Sequence, residues 1–79
     1  MDTRKYDIAL GRLLKTYRKK AGLTQKEFAD HFGISRELVC NYEKGYRSMN
    51  ASLFFAICDF LSLDAVEVAE IVKDMAKER

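Results

Sequence analysis

The stretch that most constrains this chain runs from Thr24 to Gly45, TQKEFADHFGISRELVCNYEKG. Thr24 and Glu27 have the spacing of a capping box, in which each side chain satisfies the other residue's free backbone N–H. A helix is therefore predicted to start at Gln25. Phe28, Ala29 and Phe32 share one face of it, and small Ala29 lets a second helix cross closely. Gly33 ends the helix where a left-handed residue without a Cβ is needed. After Ile34, Ser35 is a second N-cap, and Val39 and Tyr42 carry an inward stripe along the next helix. Arg36, Glu37, Cys40, Asn41 and Lys44 are left pointing outward. The pattern is a helix-turn-helix, and an outward face with Arg and Asn beside a Lys suits a helix that reads base edges.

The flanking sequence supplies three more helices. From about Asp7 to Ala21, the residues Ile8, Leu10, Leu13, Leu14, Tyr17 and Ala21 form one apolar face, opposite Arg12, Lys15, Lys19 and Lys20. Met1 to Tyr6 is expected to be a frayed polar arm, and Gly22 closes the helix. Lys19 and Lys20 suit the negative end of the helix dipole whether or not they also meet a polyanion. Asn50 caps a helix to about Leu61 with Leu53, Phe54, Ile57, Phe60 and Leu61 apolar. Asp64 and Glu67 form another capping box, opening a fifth helix to about Lys77. That last helix carries Ala65, Val66, Val68, Ala69, Ile71, Val72, Met75 and Ala76, a band wider than one small core requires. Together with Phe54 or Phe55, part of it is expected to meet a partner. The expected fold is all-α, a single five-helix domain over residues 1–79.

Composition excludes several classes. Seventy-nine residues support one modest core. With 48% hydrophobic and 33% charged residues the chain matches neither a disordered nor a membrane protein. No apolar run approaches the ~20 residues of a membrane span, and Met1 to Lys5 lacks a signal-peptide pattern, so a cytoplasmic location is expected. The net charge of +2 hides a gradient, with +5 over residues 1–22, balance over 23–50 and −3 over 51–79. The basic half can face a polyanion with the acidic end turned away, although small helical domains without such a partner show the same asymmetry. Catalysis has no foothold. His31 is the single histidine and reads as a surface residue, and Cys40 and Cys58 read as reduced thiols, Cys58 buried in the fourth helix. No metal spacing, phosphate loop or nucleophile constellation appears, so no enzyme activity, metal or cofactor is expected.

From about Leu10 to Val72 the chain resembles the lambda-repressor-like, Cro-type (XRE) helix-turn-helix DNA-binding proteins. The resemblance rests on the LxxLL-like packing of the first helix, Arg18, GLTQ at Gly22 to Gln25, the turn Gly33-Ile34-Ser35, and YEKG at Tyr42 to Gly45. It implies base contacts from Arg36 to guanine O6 and N7 and from Asn41 to adenine N6 and N7. Glu37 is assigned either to cytosine N4 or to orienting Arg36, and Leu38 and Cys40 either to thymine methyls or to packing. Backbone contacts are implied for Gln25, Ser35, Lys44, Tyr46, Arg47 and Asn50, with free N–H groups at helix N-termini turned to phosphates. Arg18 and Glu43 match a structural ion pair of the family.

The assembly implied is a homodimer on an inverted-repeat, double-stranded operator. It would pair through Phe55, Val68, Ile71, Val72 and Met75, with half-sites about 34 Å apart. No membrane and no small-molecule effector enter this reading. The alternative is an antitoxin that binds a toxin protein and regulates its own operon, while phage-repressor and restriction–modification controller roles both stay open. The sequence departs from the family in the loop GYRSMN, where a proline is common, and in Leu38, where a small polar residue is typical.

Overall fold

The computed structural model describes residues 2–77. They form five helices: α1 (Arg4–Lys20), α2 (Gln25–Phe32), α3 (Arg36–Glu43), α4 (Ala51–Phe60) and α5 (Ala65–Lys77). No strand occurs among the described residues, and no helix there is long and apolar enough to cross a membrane. The all-α expectation holds.

One boundary differs from its expectation. α1 starts at Arg4 rather than near Asp7, so the second half of the predicted polar arm, Arg4 to Tyr6, is helix; Met1 lies outside the described residues. The cause is a polar cap rather than an apolar stripe. Asp2 Oδ1 accepts from Arg4 N at 2.9 Å, and Thr3 O accepts from Tyr6 N at 3.1 Å. Hydrophobic periodicity carries no information about such a start.

The other helices begin where their caps predict. Thr24 Oγ1 accepts from Glu27 N at 3.1 Å while Glu27 Oε1 accepts from Thr24 N at 2.9 Å, completing the capping box of α2. These bonds, the one from the Thr24 backbone foremost, hold the Glu27 carboxyl below its ordinary pKa. Ser35 Oγ accepts from Leu38 N at 3.0 Å, and Asn50 Oδ1 from Leu53 N at 2.8 Å. Asp64 Oδ1 accepts from Val66 N at 2.9 Å and from Glu67 N at 3.5 Å, but no return bond from Asp64 N to the Glu67 carboxylate forms among the described residues, so the expected box ahead of α5 is only half made. The α2–α3 turn puts Gly33 at φ 68°. Ser62, after α4, holds φ 57° with a side chain attached, at a cost of about 1 kcal/mol.

Two apolar clusters share α1. Leu14, Phe28, Ala29, Val39 and Ile57 join α1 to α2, α3 and α4. Ala9, Cys58, Val68 and Val72 join α1 to α4 and α5. Leu10 packs against both. Each buried side chain of this size contributes roughly 1.5–3 kcal/mol of transfer free energy, so the helix-turn-helix is fixed from behind by α1 and α4.

α1 also meets α3 backbone to backbone. A Cβ on buried Gly11 would overlap the carbonyl oxygen of Tyr42 near the end of α3. Gly45, at φ 76°, sits over α1, and a Cβ there would lie 2.8 Å from Ile8 Cα. These two glycines permit the close approach; no larger residue fits.

Candidate nucleic-acid interface

The inner end of α3 is tied to α1 and α2 by a buried polar network. Arg18 Nε donates to Glu43 Oε2 at 2.7 Å and its Nη2 to Oε1 at 3.2 Å, a two-pronged pair. Arg18 Nη1 donates to the Leu23 carbonyl at 2.6 Å, and Gln25 Nε2 donates to Glu43 Oε1 at 3.0 Å. The two charged side chains are only 7% and 5% exposed. Every buried side-chain nitrogen and oxygen among the described residues has a partner. The expected Arg18–Glu43 pairing is therefore present, and Arg18 faces inward. Breaking one side would strand a buried charge. Gln25 joins this brace through one amide N–H, and the second N–H stays free to donate elsewhere.

The opposite face of α3 is open. Arg36 and Glu37 are exposed in its first turn, and Cys40 and Asn41 are half-buried one turn on. Arg36 forms no ion pair among the described residues, with Glu37 or any other carboxylate. A helix such as α3 is roughly 10–12 Å across with its side chains, a match to a major groove about 12 Å wide. Ser35 and Lys44, which cap the two ends of α3, and Tyr46, Arg47 and Asn50 in the segment leading to α4 are exposed. Lys44 Nζ stands 5.8 Å from the Tyr46 ring centroid, so the two side chains form one cationic, aromatic edge. Ser35 and Asn50 use their oxygens as caps, which leaves a hydroxyl proton and an amide NH₂ free to donate outward. The predicted base-reading residues share α3, and the predicted backbone-contacting residues are exposed apart from half-buried Gln25.

The residues expected at a partner interface do not all stay available. Val68 and Val72 are 2% and 8% exposed and pack against Ala9 and Cys58, so the protomer's own core consumes them. The cause is simple: α5 packs against α1, and its one wide apolar band must fill that contact first. Phe55 remains 55% exposed, and Ile71 and Met75 are half-buried. Val66, at 67% exposure, was not singled out as surface. A groove of about 350 Å³ opens between α1, α4 and α5, lined by Leu10, Met49, Ala51, Phe54, Ala69 and Lys73 among others.

Other expectations resolve locally. His31 is exposed, as expected, and stacks on Phe60 with centroids 3.8 Å apart. Phe60, expected on the core stripe of α4, is 38% exposed beneath it. Cys58 is buried, and that burial, followed by the nearby Asp59 and Asp64 charges, pushes its thiol pKa up, which keeps it protonated and unreactive. Sequence reasoning missed Gly11. A lone glycine inside a helix was the available signal, since it costs about 1 kcal/mol unless packing requires it.

Comparison with known proteins agrees with this geometry. A helix-turn-helix domain family matches residues 9–71. The antitoxin PezA of Streptococcus pneumoniae is 37% identical over 59 residues, covering 75% of this chain but only 37% of PezA. This chain therefore spans little more than a third of that relative. An uncharacterised helix-turn-helix-type transcriptional regulator of Bacillus subtilis, YazB, is 36% identical over 59 residues, with 75% of this chain and 86% of YazB covered. Among solved structures, the clp gene regulator ClgR from C. glutamicum superposes with a TM-score of 0.80 at 22% identity, covering 90% of this chain and 91% of that one, a likeness of fold. Motif, buried brace, open face and relatives converge: the chain belongs to the helix-turn-helix domain family, in its lambda-repressor-like form.

Proposed function

We propose that this chain acts as a DNA-binding transcriptional regulator that reads an inverted-repeat operator as a homodimer. The observation that carries the reading is the contrast within α3: Arg36, Glu37 and Asn41 stand on an uncommitted outer face while Glu43 is locked behind them. Arg36 reaches guanine O6 and N7, Asn41 reaches adenine, and Glu37 accepts from cytosine N4, with Cys40 against the groove wall. Gln25, Ser35, Lys44, Tyr46, Arg47 and Asn50 contact phosphates, which sets register and makes binding salt-dependent without choosing sequence.

Two copies pair through α4 and α5. Exposed Phe55 beside an apolar groove, with Ile71 and Met75 on the neighbouring helix, supports that surface. Val68 and Val72 stay inside each protomer. Control then comes from protein concentration and dimerisation at the operator, in the cytoplasm, without a small-molecule effector.

A second reading is favoured by one relative, which is named an antitoxin. There the same apolar surface would bind a toxin protein and the DNA face would regulate the operon.

Selection of bound duplexes from a random pool, at near-physiological salt, tests the proposal. An enriched inverted repeat with half-site centres about 34 Å apart is expected. Binding that is salt-sensitive but blind to sequence would overturn it and put the protein-partner reading first.

A further inference from the structure

The loop after α3 has no proline to stiffen it, yet its path decides where Tyr46 and Arg47 point. Two contacts with the start of α1 fix that path. Gly45 seats its backbone against Ile8, and Ser48 Oγ donates to Asp7 Oδ2 at 2.7 Å, across 41 residues of sequence. Asp7 lies in the first turn of α1, where the helix dipole favours a carboxylate. Arg47 lines the same small depression as Asp7, with Leu10, Gly11, Tyr42 and Met49, but forms no ion pair with it among the described residues. The guanidinium beside the tie is left for another anion.

We infer that Asp7 is a positioning residue for DNA binding: by accepting the Ser48 hydroxyl, it holds the α3–α4 loop so that Tyr46 and Arg47 face the phosphate backbone. The inference rests on the backbone-contact reading proposed above. Asp7 acts with two opposite signs. Its hydrogen bond orders the loop and favours binding, whereas its charge repels phosphate. Asp7→Asn keeps an acceptor and removes the charge. Ser48→Ala removes the bond and keeps the charge.

The test is equilibrium binding of the full chain to a mixed-sequence duplex over a range of salt, with melting followed by circular dichroism. Ser48→Ala is expected to weaken binding about three- to ten-fold and to flatten the salt dependence, as one net hydrogen bond implies. Asp7→Asn is expected to bind as tightly as the parent or more tightly. Asp7→Ala added to Ser48→Ala should bring no further loosening of the loop contacts. Arg47→Ala separates the two levels. If Arg47→Ala weakens binding and Ser48→Ala does not, the positioning role is wrong while the backbone contact stands. If neither changes the salt dependence, the loop is off the DNA and both statements fall. Equal tightening by Asp7→Ala and Asp7→Asn, with Ser48→Ala silent, would leave Asp7 as a repelling charge only and overturn the inference.

Discussion

Arg18, on α1 behind the helix-turn-helix, and Arg36, at the start of its second helix, carry the same side chain in opposite environments. Arg18 is buried and directs its donors at Glu43 and the Leu23 carbonyl. Arg36 is exposed and pairs with no carboxylate among the described residues. Burial separates the two roles. A desolvated guanidinium must be fully partnered inside the protein and so can choose only one geometry. A solvated one keeps its fork for a ligand that presents a matching pair of acceptors. The inner face of α3 therefore determines where the outer face stands, and the outer face is the one left open to a ligand.

The largest effect expected from breaking this contrast lies on the buried side. Glu43→Ala strands Arg18 and should cost about 3–5 kcal/mol in urea unfolding, with DNA binding lost only as the protein unfolds. A folded Glu43→Ala protein of unchanged stability would show that the pair is ornamental. Gly11→Ala comes next. Its new Cβ meets the Tyr42 carbonyl and forces α1 from α3, for an expected loss of about 1–3 kcal/mol in the same assay.

The two faces were not equally legible in the sequence. Local signals sufficed for the helix-turn-helix, because Thr24, Glu27, Gly33, Ser35 and Asn50 act on backbone groups within a few residues of themselves. The Arg18–Glu43 pair spans 25 residues, and it was reached through family resemblance rather than spacing. The Asp7–Ser48 bond spans 41 residues between polar side chains, and no periodicity points to it. Val68 and Val72 illustrate a different loss. Apolar periodicity says that a residue will be buried, but not whether its own protomer or a partner does the burying. In a domain this small, the protomer claims the first layer.

The smallest effect expected is at the surface of α2. The Thr24 bonds lower the pKa of Glu27 below its ordinary 4.5 in the folded state. Stability from this carboxylate is thus present above 4.5 and is lost as pH falls through the lower, folded value. Glu27→Gln should lower the urea midpoint slightly at neutral pH, and the difference should shrink in acid. A difference that grows in acid would contradict the assignment.

The claim that the outer face of α3 reads sequence is tested most directly by the base-preference profile of Arg36→Ala beside that of the parent chain. The account predicts lost preference at a single base pair in each half-site, a cost of about 1–3 kcal/mol against the parent's site, and an unchanged melt. An unchanged profile, or uniform weakening across all sequences, would mean that Arg36 does not read a base and that the reading face has been misplaced.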